Sequence, residues 1–176
     1  AVLYLQSYKG KKGKWNNTDY YQLGYAYYKK RNYQMAINEF NKIIDGKNAV
    51  AQNAFYHLAD SYIKLDQKQQ ALNAFKSASE MDFSPEIKED SWLNYAKLSY
   101  QIGNSYQSAP KVLLSFMEVY PYNENNIELN DLLIDSYITS KDYQSALDLL
   151  VNNKSFENKL AYQKVTFFRG LELYSE

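Results

Sequence analysis

The chain of 176 residues carries one histidine, His57. It is the sole imidazole available as a general base. Such a base needs a nucleophile beside it, and no serine lies in a nucleophile-elbow context. The other reading of His57, one residue before Leu58, is a surface or edge position on a helix. With no cysteine there is neither a disulfide framework nor a thiolate zinc site, and one histidine leaves no His–His metal pair. Gly10-Lys11-Lys12-Gly13-Lys14 has the residue types of a phosphate loop. Its spacing is shorter than G-x-x-x-x-G-K-[ST] and neither Ser nor Thr follows Lys14, so it reads as a solvated turn. The carboxylate pairs Glu89/Asp90 and Asp131/Asp135 carry no sign of a shared low-dielectric pocket. Asn16-Asn17-Thr18 and Asn153-Lys154-Ser155 match a three-residue glycosylation pattern too common to weigh. Together these residues point away from catalysis, metal and cofactor.

Composition narrows the class further. Lys and Arg number 20 against 20 Asp and Glu, so the net charge is zero and the excess expected of a nucleic-acid binder is missing. No apolar run approaches the roughly 18 residues of a membrane-spanning helix. The hydrophobic fraction of 45% is that of a folded domain, and the length is that of about one. Tyrosine occurs 19 times.

The elements that carry these residues repeat. Tyr20-x-x-Leu23-Gly24-x-x-Tyr27, Phe55-x-x-Leu58-Ala59-x-x-Tyr62 and Trp92-x-x-Tyr95-Ala96 each open with an aromatic and place a small residue four positions later. A second signature follows: Ala36-x-x-x-Phe40, Ala71-x-x-x-Phe75 and Ala109-x-x-x-Leu113. A fourth copy reads Leu133-Ile134-x-x-Tyr137, then Ala146-x-x-x-Leu150. The alanines recur at intervals of 35, 38 and 37 residues. Spacings of three and four put each set on one helical face, so every unit reads as two amphipathic helices. The small residues let the helices of a pair approach closely. Polar turns at Lys30–Asn32, Asp66–Lys68, Gly103–Ser105 and Ser140–Asp142 separate them, and Pro85 and Pro121 fall between units. Nine helices are expected, at about 18–30, 33–45, 49–65, 68–82, 86–102, 106–120, 126–139, 143–152 and 157–174.

These residues resemble the tetratricopeptide (TPR) repeat family, with its W-x-x-L-G-x-x-Y…A-x-x-x-F…P pattern. The resemblance covers residues 17–153 as four repeats, about 17–48, 52–84, 89–122 and 127–153. Repeat three departs at Ser99, where the pattern has an aromatic; repeat four has Asn130 at its opening aromatic position. The implied fold is all-α, a right-handed α-α superhelix of four helix pairs plus one unpaired C-terminal helix. Residues 157–176 would be the first helix of a truncated fifth repeat, and 1–16 a remnant or linker before the array. Tyr162, Val165, Phe168, Leu171 and Tyr174 form a stripe on that last helix for which no second helix follows. Self-association through it is the expectation.

In this family the first helices line a concave groove. Carried over residue by residue, the groove positions are Tyr21, Tyr25, Tyr28 and Lys29 (with Thr18) in repeat one and Asn53, Tyr56, Asp60 and Lys64 (with Ile63) in repeat two. Repeat three offers Lys97 and Tyr100, with Asp90, Leu93 and Gln101. Repeat four offers Asp131 and Asp135, with Glu128, Ile138 and Thr139. The resemblance implies a non-enzymatic scaffold binding a protein or peptide. Tyr21 and Tyr25 occupy positions that are basic or amide in the chaperone-binding subclass, which argues against that partner. The Phe116-Met117-Glu118-Val119-Tyr120-Pro121 ending resembles bacterial cell-envelope TPR proteins of the Tol-Pal accessory and outer-membrane assembly type, which implies a periplasmic or envelope location. The alternatives are a carbohydrate- or peptidoglycan-binding module, centred on Tyr25, Tyr28 and Asp60, and a sensor domain of a cytoplasmic regulator.

Overall fold

The computed structural model describes residues 2–11, 13–151 and 156–175. Ten helices form among them: α1 (Val2–Ser7), α2 (Asn17–Lys29), α3 (Tyr33–Phe40), α4 (Ala49–Lys64), α5 (Lys68–Ser79), α6 (Pro85–Ile102), α7 (Ala109–Val119), α8 (Asn126–Thr139), α9 (Tyr143–Val151) and α10 (Phe156–Ser175). The described residues contain no strand; a single bridge, Lys11 to Lys14, closes the lysine-rich turn. The sequon at Asn153 and the expected end of repeat four lie outside the described residues. The chain divides into two compact units, Ala1–Leu98 and Ser99–Glu176.

In the first unit asparagines start α2, α3 and α4. Asn16 and Asp19 cap α2 reciprocally, with Asp19 N donating to Asn16 Oδ1 at 3.1 Å and Asn16 N to Asp19 Oδ2 at 2.9 Å. Asn32 and Asn48 accept from the first-turn amides of α3 and α4. Leu23, Gly24 and Tyr27 of α2 are buried, as are Ala36, Ile37 and Phe40 of α3. The pair closes at Gly24, where a Cβ atom would lie 2.7 Å from Phe40 Cε1. In the next pair Ala59 and Ala71 are both fully buried. Helix α3 is shorter than its periodicity suggests. After Phe40 the chain continues in tight turns, with Ile43 N donating to Phe40 O at 3.0 Å, and these still deliver Ile43 to the core. The residues before α2 are more than a linker, since α1 packs on α2, buries Val2 and donates from Gln6 Nε2 to the Tyr27 hydroxyl at 2.7 Å.

In the turn within each helix pair one residue adopts the left-handed conformation: Arg31 (φ 59°), Asp66 (56°), Gly103 (77°) and Lys141 (61°). It lets the following amide cap the helix end, as Asn32 N does on Tyr27 O, Gln67 N on Tyr62 O and Asp142 N on Tyr137 O. A side chain there costs about 1–2 kcal/mol, partly offset because glycine loses more entropy on folding. Arg31→Gly is therefore expected to stabilise the chain by about 0.5–1 kcal/mol, read as a higher urea midpoint; Arg31→Val should lower it.

The second unit corrects two expectations. In α3, α5 and α9 the buried alanine is the fourth helical residue, and the fourth residue of α7 is Val112, not Ala109. Val112 and Phe116 are buried and Ala109 is half-buried. The alanine-equivalent intervals become 35, 41 and 34 residues. The extra length sits in the turn before α7, whose Asn104 donates to the Oγ of Ser99 at 2.8 Å. A hydroxyl thus replaces the missing aromatic and anchors a longer turn.

The second correction concerns α10. Val165 is fully buried with Ile134, Ala146 and Leu150, and Phe168 stacks on Tyr143 at 5.7 Å. These two inward residues are covered by the fourth helix pair. Tyr162, Leu171 and Tyr174 instead remain exposed. The expected single stripe is split between two faces because steps of three residues drift round a helix of 3.6 residues per turn, so only Val165 and Phe168 face α9 and its neighbours.

Candidate functional site

Tyr21, Tyr25 and Tyr28 follow at four and three residues, which places them on one face of α2. Tyr25 stacks between the other two, with centroids 6.0 Å from Tyr21 and 6.1 Å from Tyr28 and interplanar angles of 11° and 20°. Lys29 Nζ lies 5.1 Å from the Tyr25 centroid and 6.0 Å from that of Tyr28. Helix α4 brings Tyr56 and His57 against this row. The imidazole lies 5.0 Å from Tyr25, 5.1 Å from Tyr28, 5.3 Å from Tyr56 and 6.0 Å from Tyr21.

His57 is therefore neither a surface residue nor a poised base. Burial pushes its pKa down from 6.5 to about 4, with Lys29 adding to the fall and Asp60 opposing it. Its Nδ1 is buried without a hydrogen-bond partner. At neutral pH it is an uncharged ring filling the centre of an aromatic cluster. The unfolded chain takes up this proton near pH 6.5 and the folded chain near 4, so stability is full above pH 6.5 and falls between those values. As the only histidine, its imidazole resonances are unambiguous in an NMR titration, which should give a pKa of about 4. The same acid-side loss of stability should disappear in His57→Leu.

The tyrosine hydroxyls serve a different purpose from the one the sequence suggests. Tyr28 donates to Asp60 Oδ2 at 2.6 Å. Tyr56 hydrogen-bonds Asp90, and in the second unit Tyr100 donates to Asp135 Oδ2 at 2.6 Å. Each links the first helix of one repeat to the first helix of the next. The Asp60 bond is the main cause of the raised Tyr28 pKa, and the Asp135 bond that of Tyr100. For Tyr56 burial is the larger cause, ahead of Asp90. Tyr21, which makes no such bond, is raised to about 12 by burial and then by Tyr25. All of these hydroxyls are neutral through the physiological range.

The remaining groove candidates are dispersed. Asn53 donates to Ala49 O of its own helix, Lys64 pairs with Asp60 at 3.8 Å, and Lys97 is half-buried on α6. Asp131 and Asp135 are exposed on α8 in the second unit. Among the described residues no cluster of histidine or acidic groups could hold a metal, and no helix is long and apolar enough to cross a membrane. The sequence reasoning missed the Tyr–Asp ties, although Tyr28–Asp60 and Tyr100–Asp135 share one signal. Each pairs the twelfth position of one repeat with the ninth of the next.

Residues 3–78, most of α1 to α5, match the family model for anaphase-promoting complex, cyclosome, subunit 3. No curated protein matches the chain. The crystal structure of MamA is similar at 15% identity and a TM-score of 0.53, over 90% of this chain and 81% of that one. A putative kinesin light chain from Podosopora anserina, with nearly identical TPR-like repeats, gives the same identity and TM-score over 89% and 88%. The fold is of the TPR type. TPR repeats are in general protein-interaction scaffolds rather than enzymes. Tyr21, Tyr25 and Tyr28 of α2 and Tyr56 of α4 are half-buried, and two of their hydroxyls are spent on inter-repeat bonds.

Proposed function

We propose that this chain is a non-enzymatic scaffold that binds a peptide or protein segment on the tyrosine face of α2 and α4. One observation carries the reading: three tyrosine rings stand in a stacked row, backed by His57 and flanked by Lys29. Large, rigid, partly exposed aromatics are the residues that concentrate binding energy in interfaces. The hydroxyls of Tyr28 and Tyr56 are committed to Asp60 and Asp90, so these two residues offer a ligand aromatic surface, while Tyr21 and Tyr25 stand outside those bonds. The same geometry weighs against the carbohydrate reading. Sugar stacking requires a carboxylate or amide beside the ring, and Asp60 already accepts from Tyr28 and pairs with Lys64.

The test is selection of a displayed random-peptide library on the immobilised chain, followed by counter-selection on Tyr25→Ala. Tyr25 is the informative position because it takes no part in the Tyr–Asp ties. Enriched sequences that the variant fails to hold support the reading; enrichment indifferent to Tyr25 moves the site elsewhere. Placement in a bacterial cell envelope is supported by the Phe116–Pro121 ending, and fractionation of cells making the full-length protein tests it.

A further inference from the structure

We propose that two copies of this chain pair through α10, each laying the outer face of that helix over the cleft between α8 and α10 of the other. The cleft holds about 460 Å³ and is lined by Asp131, Ile134, Asp135 and Ile138 on one side and Leu160, Ala161 and Lys164 on the other. Its floor is apolar, with Ile134 buried and Ile138 and Ala161 half-buried. Its α8 wall is purely acidic, since Asn126–Thr139 contains Glu128, Asp131 and Asp135 and no lysine or arginine. The Tyr100 hydroxyl, bound to Asp135 Oδ2, fixes one of these carboxylates at the mouth.

The surface that complements this cleft is on the same chain. Leu160, Phe167, Leu171 and Tyr174 follow at seven, four and three residues, a spacing that aligns them along one side of α10. They are 75%, 63%, 50% and 92% exposed, while Val165 and Phe168 face the fourth helix pair. A contiguous apolar stripe of this kind marks an interaction surface. Exposed Lys164 sits within it, midway between Leu160 and Phe167. Stripe and cleft thus match apolar ridge to apolar floor, and Lys164, at the rim of its own cleft across from Asp131 and Asp135, is placed to be exchanged with the Lys164 of a second copy. Because both lie on one helix and its neighbour, a two-fold axis satisfies both at once, with each Lys164 carried to the Asp131 and Asp135 of the other copy.

Sedimentation velocity of the intact chain over about a hundred-fold concentration range should show a monomer–dimer equilibrium. Asp131→Lys and Lys164→Asp, each at an exposed position, should raise the dimer dissociation constant about tenfold or more, and the variant carrying both should return toward the parent value. Circular dichroism checks that each variant folds. A monomer throughout the range overturns the proposal, as does association indifferent to both charges or loss without rescue in the double variant. Tyr25→Ala should leave the equilibrium unchanged, which separates this interface from the tyrosine face of the first unit.

Discussion

Gly24→Leu is expected to cost about 3 kcal/mol, at the upper end of what overpacking usually costs, and to loosen the first helix pair. Even a Cβ atom would stand 2.7 Å and 2.9 Å from two ring carbons of Phe40, which is itself fully buried and has no direction in which to retreat. The leucine must push α2 off α3 and pull Tyr21, which packs on Phe40 at 5.9 Å, out of the aromatic cluster. Gly170 provides the control. Nothing lies within 4 Å of a Cβ built there, so Gly170→Ala should stabilise α10 by up to about 1 kcal/mol through helix propensity alone. Urea melts of the two variants should shift in opposite directions; a neutral Gly24→Leu would contradict the close approach of α2 and α3.

Gln52→Leu should be comparably damaging, at about 3 kcal/mol, for a different reason. The side chain is fully buried at the start of repeat two and stitches down the connection after α5. Its Nε2 donates to Met81 O at 2.8 Å, with Ala78 O at 3.2 Å and Ser84 O at 3.3 Å, and its Oε1 accepts from Ser84 N at 2.7 Å. Leucine preserves much of the bulk and satisfies none of these groups, leaving a buried amide and carbonyls to bear their desolvation cost. Hydrogen exchange at Ser84 should accelerate along with the fall in stability. Unchanged protection there would show that the connection holds without Gln52.

The repeat pattern was legible because helix pairing imposes it. Alanines such as Ala36, Ala71 and Ala146 are the contact residues, and their four-residue step to Phe40, Phe75 and Leu150 is the helical period itself. Repeat three misled because Ala109 and Leu113 have the same step as Val112 and Phe116, and only the position of the helix start chooses between them. The tyrosine row on α2 was equally legible, since spacing within one helix defines a face. What the next helix brings to that face is not written in the spacing. Hence the burial of His57 went unread, as did the Tyr28–Asp60 and Tyr100–Asp135 bonds between neighbouring repeats. The split of the α10 stripe was, by contrast, within reach of the sequence, since Val165 and Tyr174 are nine residues apart, half a turn round the helix, and one is fully buried while the other is 92% exposed.

The role of the tyrosine rings is most directly tested by calorimetric titration of a library-selected peptide into the parent chain, Tyr25→Ala and Tyr28→Phe. Tyr25 offers its ring to a ligand, so its truncation should weaken binding by about 2 kcal/mol, close to thirtyfold. Tyr28→Phe keeps the ring and removes only the bond to Asp60, so it should lower stability by about 1.5–3 kcal/mol while affinity stays within about threefold. Full affinity in Tyr25→Ala, or an affinity loss in Tyr28→Phe as large as that expected of Tyr25→Ala, would contradict binding by ring faces on α2 and α4.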